Sequence, residues 1–119
     1  MVIPNGVEKI KKYWLCYSDI ESVVIPASVR EIEQLAFYQC RRLRRVTFAD
    51  GSQLQKIGRY GFSEAGIEDI TIPSSVVRLE SSAFSCCGNL KRVLFQDNSQ
   101  LKRVEGLCFY GCDPQLRKN

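Results

Sequence analysis

The feature that most constrains this chain is an internal repeat of 22 to 24 residues. A strand-like triplet of apolar, variable and apolar residues recurs at 23–25, 46–48, 70–72 and 93–95, and Ile3 opens an earlier partial copy. The second apolar residue of the triplet therefore falls at 3, 25, 48, 72 and 95. A unit this short cannot bury its apolar side chains alone, so the copies are predicted to stack and to share one continuous core.

Other columns of the repeat also keep their chemical type and are predicted to point inward. Aliphatic residues fill two of them: Val7, Val29, Leu54, Val76 and Leu101, then Ile10, Ile32, Ile57, Leu79 and Val104. A large apolar residue fills the next: Leu15, Phe37, Phe62, Phe84 and Phe109. A mostly small residue precedes it: Trp14, Ala36, Gly61, Ala83 and Cys108. A small residue or cysteine follows it three positions later: Ser18, Cys40, Ala65, Cys87 and Cys112.

This spacing of Ile-Pro-x-Ser-Val, Ala-Phe-x-x-Cys and Leu-x-x-Val resembles the BspA-like class of leucine-rich repeats, from Val2 to Cys112. The resemblance implies an α/β repeat fold, a right-handed solenoid with parallel strands on one face. The chain is expected to form one domain, residues 1–119, of about five coils. The five coils are expected to span approximately residues 2–23, 24–46, 47–70, 71–93 and 94–119.

The segment between the strands has a different apolar spacing. Residues 33–42 and their equivalents carry apolar side chains near three and four positions apart, which predicts a short helix or helical turn opposite the strands. A second short extended piece is expected near residues 29–32. Ser28 and Ser75 are expected to bond to nearby backbone in the turn. Residues 113–116 begin another turn that is not expected to reach its strand.

Composition excludes several classes of function. The chain of 119 residues is 45% apolar and 25% charged, as an ordered domain is. Its net charge of +4 is mild and its basic residues are dispersed, so no nucleic-acid partner is expected. No run approaches the roughly 20 apolar residues of a membrane helix. Because Met1 leads straight into a repeat column, we expect a fragment of a longer array or a truncated member, with any export or anchoring signal outside it.

Six cysteines raise the question of disulfides or metal: Cys16, Cys40, Cys86, Cys87, Cys108 and Cys112. Most of them occupy inward columns, where free cysteine behaves as a small apolar residue, so reduced core thiols are predicted. Their spacing does not match a paired-thiol zinc site. A disulfide between stacked Cys87 and Cys112 requires converging side chains. Cys86, next to an inward residue, is expected to be exposed.

Catalysis lacks its usual components. The chain has no histidine and no glycine-rich phosphate loop, and its carboxylates are scattered over turns. We therefore predict a non-enzymatic protein, with no catalytic, cofactor-binding or metal-binding residue.

The strand face carries a pattern of alternating charge. The residues before each triplet are Glu21-Ser22, Arg44-Arg45, Glu68-Asp69 and Lys91-Arg92. One interpretation is a self-neutralising ladder that fixes the repeat register; the other is a recognition surface. The candidate partner-binding residues are Glu21, Val24, Arg44, Arg45, Thr47, Glu68, Asp69, Thr71, Lys91, Arg92 and Leu94. A second basic stripe of Lys9, Lys56, Arg78 and Arg103, relieved by Glu80 and Glu105, is predicted to be solvated surface; the alternative is a weakly attractive edge for an acidic partner.

These patterns and the resemblance predict a module for binding a protein or glycan. The resemblance implies a part of a cell-surface or secreted adhesion or antigen protein. An intracellular leucine-rich-repeat adaptor or regulatory scaffold in the cytoplasm is the alternative, and a purely structural spacer is a third. Uncapped ends of the stack would favour self-association.

Overall fold

The computed structural model describes residues 1–119, which form a parallel β-solenoid of about five coils, as the repeat predicts. We number the coils 1 to 5 in the order of the repeats. Each of the first four contributes a two-residue strand and then a four-residue strand. The strands are β1 (Lys9–Ile10), β2 (Ser22–Ile25), β3 (Glu31–Ile32), β4 (Arg45–Phe48), β5 (Lys56–Ile57), β6 (Asp69–Ile72), β7 (Arg78–Leu79), β8 (Arg92–Phe95), β9 (Arg103–Val104) and β10 (Arg117–Lys118).

The two-residue strands form one continuous parallel sheet, in the order β1-β3-β5-β7-β9. Its register aligns the aliphatic column Ile10, Ile32, Ile57, Leu79 and Val104. The second extended piece expected near residues 29–32 is therefore confirmed as β3 and its equivalents.

The four-residue strands form the second sheet, which we call the strand face, and it is divided in two. β2 pairs with β4, and β6 pairs with β8, but no ladder joins β4 to β6. Residues 113–116 do lead into a strand, contrary to expectation: β10 pairs in parallel with Arg92 and Val93 of β8. At the other end, Val2 forms a single parallel bridge with Val24.

The side opposite the strands, which we call the turn face, contains no helix, so the predicted short helices are wrong. Half of its amides bond within the coil, to the carbonyl three residues earlier; in coil 2 these belong to Ala36, Tyr38 and Cys40. The alternate amides donate to carbonyls of the next coil; in coil 2 these belong to Leu35, Phe37 and Gln39. An α-helix would satisfy all of them within the segment. The turn face is instead a further ladder between coils.

The backbone angles explain why no helix forms there. Leu35 and Gln39 have φ of 61° and 55°, outside the helical region, and the same two positions are positive in every coil. A positive φ at the third residue of a turn is the type II geometry. The usual signal for it, glycine or asparagine, is absent at most of these positions, which hold residues such as Tyr60, Ser82 and Cys86.

A single apolar core of 26 buried residues runs the length of the stack. The phenylalanine column lies at its centre, with near-parallel rings: Phe37 to Phe62 at 4.8 Å, Phe62 to Phe84 at 5.5 Å, and Phe84 to Phe109 at 5.6 Å between centroids. Leu15 packs against the core in coil 1. The amine of Lys118 lies 5.2 Å from the centroid of Phe109. The predicted inward column of large residues is confirmed.

The cysteine column links successive coils. The thiols of Cys40, Cys87 and Cys112 donate to the carbonyls of Leu15, Phe62 and Phe84 in the preceding coil, at 3.0, 3.0 and 3.1 Å. All six cysteines are free thiols, and Cys86 is exposed as expected. Burial raises the pKa of Cys87 to about 12, and those of Cys40 and Cys108 to about 11.

Two serines link coils in the same way. Ser28 and Ser75 donate to the carbonyls of Val7 and Leu54 in the preceding coil, at 2.8 and 2.6 Å, and not within their own turn as expected. The serines thus satisfy two carbonyls that have no main-chain donor. The thiols instead add a second hydrogen bond to carbonyls that already accept an amide of their own coil.

The two ends of the stack differ. Ile10 in coil 1 is fully buried, whereas Val104, its equivalent in coil 5, is 48% exposed. Leu107 is 65% exposed at the same end. In coil 1 the exposed apolar side chains include Val2 and Trp14, which are 73% and 46% exposed.

Candidate functional site

The strand face presents the predicted candidate residues to solvent, except that Leu94 is partly buried. In β2, β4, β6 and β8 the first residue is exposed and the second is buried, so the side chains alternate between solvent and core. The register sets Val24 beside Thr47 and Thr71 beside Leu94, forming the low floor between the charged positions.

The charges on this face neutralise each other at only a few points. Asp69 and Arg92 are paired across β6 and β8, with 3.6 Å between Oδ2 and Nη2. Glu21 pairs with Arg42, not with Arg44 or Arg45, at 3.5 Å. The remaining charged candidates, Arg44, Arg45, Glu68 and Lys91, lie in no ion pair. Exposed pairs contribute little to stability, so a continuous self-neutralising ladder does not describe this face.

The break between β4 and β6 forms a cleft in the middle of the face. Its volume is about 240 Å³, and it is lined by Arg45, Val46, Thr47, Phe48, Asp69, Ile70, Thr71 and Gln96. Two threonine hydroxyls, a guanidinium, a carboxylate and a carboxamide thus surround two strand edges that have no strand partner. This is a donor and acceptor set suited to recognition.

The break coincides with a difference in corner length. Two residues separate Cys40 from Leu43 in coil 2, but one separates Ala65 from Ile67 in coil 3. Coil 3 therefore enters its strand one residue early, and this long-to-short step is the one between β4 and β6. A Cβ at Gly66 would lie 2.2 Å from the carbonyl oxygen of Arg41, so only glycine fits this short corner.

Four residues that line the cleft are not among the candidates predicted from the sequence: Val46, Phe48, Ile70 and Gln96. Phe48 belongs to an inward column, and Gln96 follows the last strand triplet. The sequence does contain a shortened spacing before Ile67. It does not disturb the repeat columns, because both corner lengths keep the apolar pattern.

The sheet of two-residue strands carries a more continuous ion-pair ladder than the strand face does. The first residues of these strands are aligned side by side: Lys9, Glu31, Lys56, Arg78 and Arg103. Lys56 pairs with Glu31 at 3.1 Å, and Glu80 reaches both Lys56 and Arg78, at 3.8 and 3.5 Å. Glu105 pairs with Arg78 at 3.8 Å, and not with Arg103 as predicted. Glu31 thus completes a stripe that the sequence presented as purely basic.

The structure contains neither a cluster of metal-ligating side chains nor a helix that could span a membrane. No three histidine, cysteine or acidic side chains converge in a way that could hold a metal ion. No helix has the length and apolar character to cross a bilayer.

Comparison with known proteins identifies the repeat. The family model described as the BspA type leucine rich repeat region matches residues 4–118, with 6 copies. No curated protein sequence matches the chain.

Solved structures share the fold. The pneumococcal vaccine antigen PcpA is 22% identical, with a TM-score of 0.78 over 93% of this chain and 37% of its own. A leucine rich cell surface protein from Faecalibacterium prausnitzii is 26% identical, with a TM-score of 0.54 over 97% of this chain and 45% of its own. A leucine-rich repeat protein from Bacteroides ovatus is 20% identical, with a TM-score of 0.52 over 99% and 44%. The chain therefore spans less than half the length of each of these relatives.

Proposed function

We propose, from the premise that this chain belongs to the BspA-type leucine-rich-repeat family, that it is a non-enzymatic recognition module that binds a protein partner through its strand face. The observation that carries this proposal is the cleft between β4 and β6. There the sheet is interrupted, and an unpaired guanidinium, an exposed carboxylate and two hydroxyls lie beside strand edges that have no strand partner.

A polypeptide suits this surface because it offers both main-chain hydrogen-bonding groups and charged side chains. Arg45 lies in no ion pair, and the side chain of Asp69, although paired with Arg92, is 59% exposed. Positive and negative groups on one small surface favour a partner of mixed charge, and complementary charges set specificity and association rate more than affinity.

The similar proteins support a location at the cell surface. One solved relative is a vaccine antigen, and another is described as a cell surface protein. Members of this family are typically non-enzymatic repeat proteins. We therefore propose that the chain acts as part of a surface-exposed binding protein.

The second candidate function is an intracellular adaptor, and the six unpaired cysteines favour it. Disulfides are common in oxidising compartments and rare in the cytosol. Six titratable thiols in chain purified from its source without reductant, then denatured, would favour the adaptor. Intact disulfides would favour the surface protein.

The strand-face proposal is tested by obstructing the cleft. Peptides that bind the chain are selected from a random display library, and their affinities are measured for the wild type and for Thr47→Arg/Thr71→Arg. Because both hydroxyls line the cleft, we expect this variant to weaken binding of the main class of peptides by at least about tenfold.

A matched control adds the same charge elsewhere. Gln53→Arg/Gln100→Arg places two arginines on exposed loop positions outside the cleft, and it should bind the selected peptides like wild type. Equal loss in both double variants, or no loss in the cleft variant, would exclude the strand face as the recognition surface.

A further inference from the structure

The turn face carries a cluster of aromatic side chains that the strand-face function does not use. Tyr13, Tyr17, Tyr38 and Tyr60, from coils 1 to 3, line one open depression together with Leu35, and its volume is about 450 Å³. Tyr17 is 65% exposed, Tyr13 53% and Tyr60 40%, while Tyr38 is partly buried. We call these four residues the tyrosine platform.

The rings of the platform are ordered against one another. Tyr17 and Tyr60 both meet Tyr38 edge to face, at 5.7 and 6.5 Å between centroids, with interplanar angles of 79°. Tyr38, the least exposed of the four, is therefore the floor of the depression, and the other two rings stand against it. The result is a shaped aromatic surface.

The backbone makes this surface rigid. Tyr13, Tyr17 and Tyr60 have φ of 65°, 62° and 58°, a region that bulky residues occupy at a cost. The amide of Tyr17 donates to the carbonyl of Tyr38 at 2.8 Å, so the turns are fixed across coils. The same two turn positions have positive φ in every coil, so the stack as a whole sets the backbone geometry that holds these tyrosines. A platform held in this way needs little ordering when it binds.

Polar groups border the floor of the platform. Gln39 Nε2 donates to the hydroxyl of Tyr38 at 3.1 Å and to Glu64 Oε2 at 3.3 Å. Arg41 donates to the other carboxylate oxygen of Glu64 at 3.2 Å. The depression thus joins uncharged aromatic faces to an edge rich in hydrogen-bonding groups.

The size and charge of the platform favour one class of ligand. Five side chains are far fewer than the roughly 20–30 residues per side of a stable protein interface, but they can cover one or two sugar rings. None of the lining residues is charged. A pyranose offers an apolar C–H face that packs on aromatic rings, and hydroxyls at its edge that match Gln39 and Glu64.

We propose that the tyrosine platform is a second binding site, independent of the strand face, that takes a neutral oligosaccharide. The sugar faces pack on Tyr17, Tyr38 and Tyr60, and the Gln39–Glu64 edge bonds to sugar hydroxyls.

The test is titration of the full ¹⁵N-labelled chain with four neutral probes, cellohexaose, maltohexaose, hexa-N-acetylchitohexaose and mannohexaose, followed by NMR. We expect at least one of them to shift the amides of the platform residues, with a dissociation constant on the order of 1 mM. Tyr17→Ala and Tyr60→Ala should each weaken that binding by about tenfold or more. These side chains are well exposed, so both variants should fold.

Tyr110→Ala is the matched control, because Tyr110 is 65% exposed on the turn face of coil 5 and outside the platform. It should bind like wild type, as should Thr47→Arg/Thr71→Arg, which separates this site from the strand face. The proposal is overturned if none of the four sugars shifts the platform amides, or if Tyr110→Ala weakens binding equally. A protein or peptide that shifts these amides when no sugar does would also overturn it, in favour of a protein site.

Discussion

Each inward cysteine of the column serves a polar and an apolar need at once. Its sulfur fills the core, and its thiol donates to a carbonyl of the preceding coil, as that of Cys87 does to Phe62. Ala65, which occupies the same column in coil 3, can provide only the packing. Single residues of this column therefore contribute to the joints between coils, which also hold the two proposed binding surfaces in place.

Cys87→Ala tests this role through its dependence on pH. Near neutral pH, loss of the bond and of the sulfur should lower the free energy of unfolding by about 1–2 kcal/mol. The folded pKa of Cys87 is raised to about 12 from 9.0, so from pH 9 upward the thiol ionises in the unfolded chain only. Ionisation then favours the unfolded wild type, and the stability that the thiol provides is lost as pH approaches the folded pKa.

The measurement is urea unfolding of both proteins at pH 7, 9 and 10. The advantage of the wild type over Cys87→Ala should be constant up to about pH 8 and then shrink, by as much as about 1.4 kcal/mol per pH unit above pH 9. An advantage that stays constant or grows between pH 9 and pH 10 would contradict a buried, protonated thiol.

At the scale of elements, the opening in the strand face coincides with a change in corner length. The corner between Ala65 and Ile67 is one residue shorter than the corner before it, and Gly66 makes this possible by passing close to the carbonyl of Arg41. Glycine is therefore required at this position by the close approach of two backbones. This junction lies at the end of the cleft between β4 and β6.

Gly66→Ala should destabilise the chain, because its Cβ would lie 2.2 Å from a backbone oxygen that cannot move without displacing coil 2. We expect a loss of about 1–3 kcal/mol in the free energy of unfolding. Gly88→Ala is the matched control: a Cβ there meets nothing within 4 Å, so the change should stay within about 0.5 kcal/mol. Urea unfolding of the two variants decides, and equal stabilities would contradict the close approach.

Elements differed in how far the sequence could predict them. The strands and the phenylalanine column were predictable because their apolar spacing reflects burial directly. The turn face was not predictable, because apolar residues three and four positions apart fit both a helix and consecutive turns. Positive φ distinguishes the turns from a helix, but residues such as Tyr60 and Gln39 give no indication of it in the sequence. The interruption between β4 and β6 depends on contact between coils, which a single column does not report.

At the scale of the whole molecule, the coils depend on one another. The phenylalanine rings form one stack, the two-residue strands form one sheet, and the alternate amides of each turn face bond to the next coil. No coil has a core of its own, so both the strand face and the tyrosine platform, which span several coils, exist only in the assembled stack.

The most direct test of this shared core is urea unfolding of Phe62→Ala, followed both by far-UV circular dichroism and by the fluorescence of Trp14. Phe62 is in coil 3, and Trp14, the only tryptophan, is in coil 1. Loss of a ring stacked on both sides should cost about 3–5 kcal/mol. Tyr110→Ala, which removes an exposed ring, is the control and should unfold like wild type. We predict that both signals of Phe62→Ala move together to lower urea; a Trp14 transition that keeps its wild-type midpoint would show that the coils do not share one core.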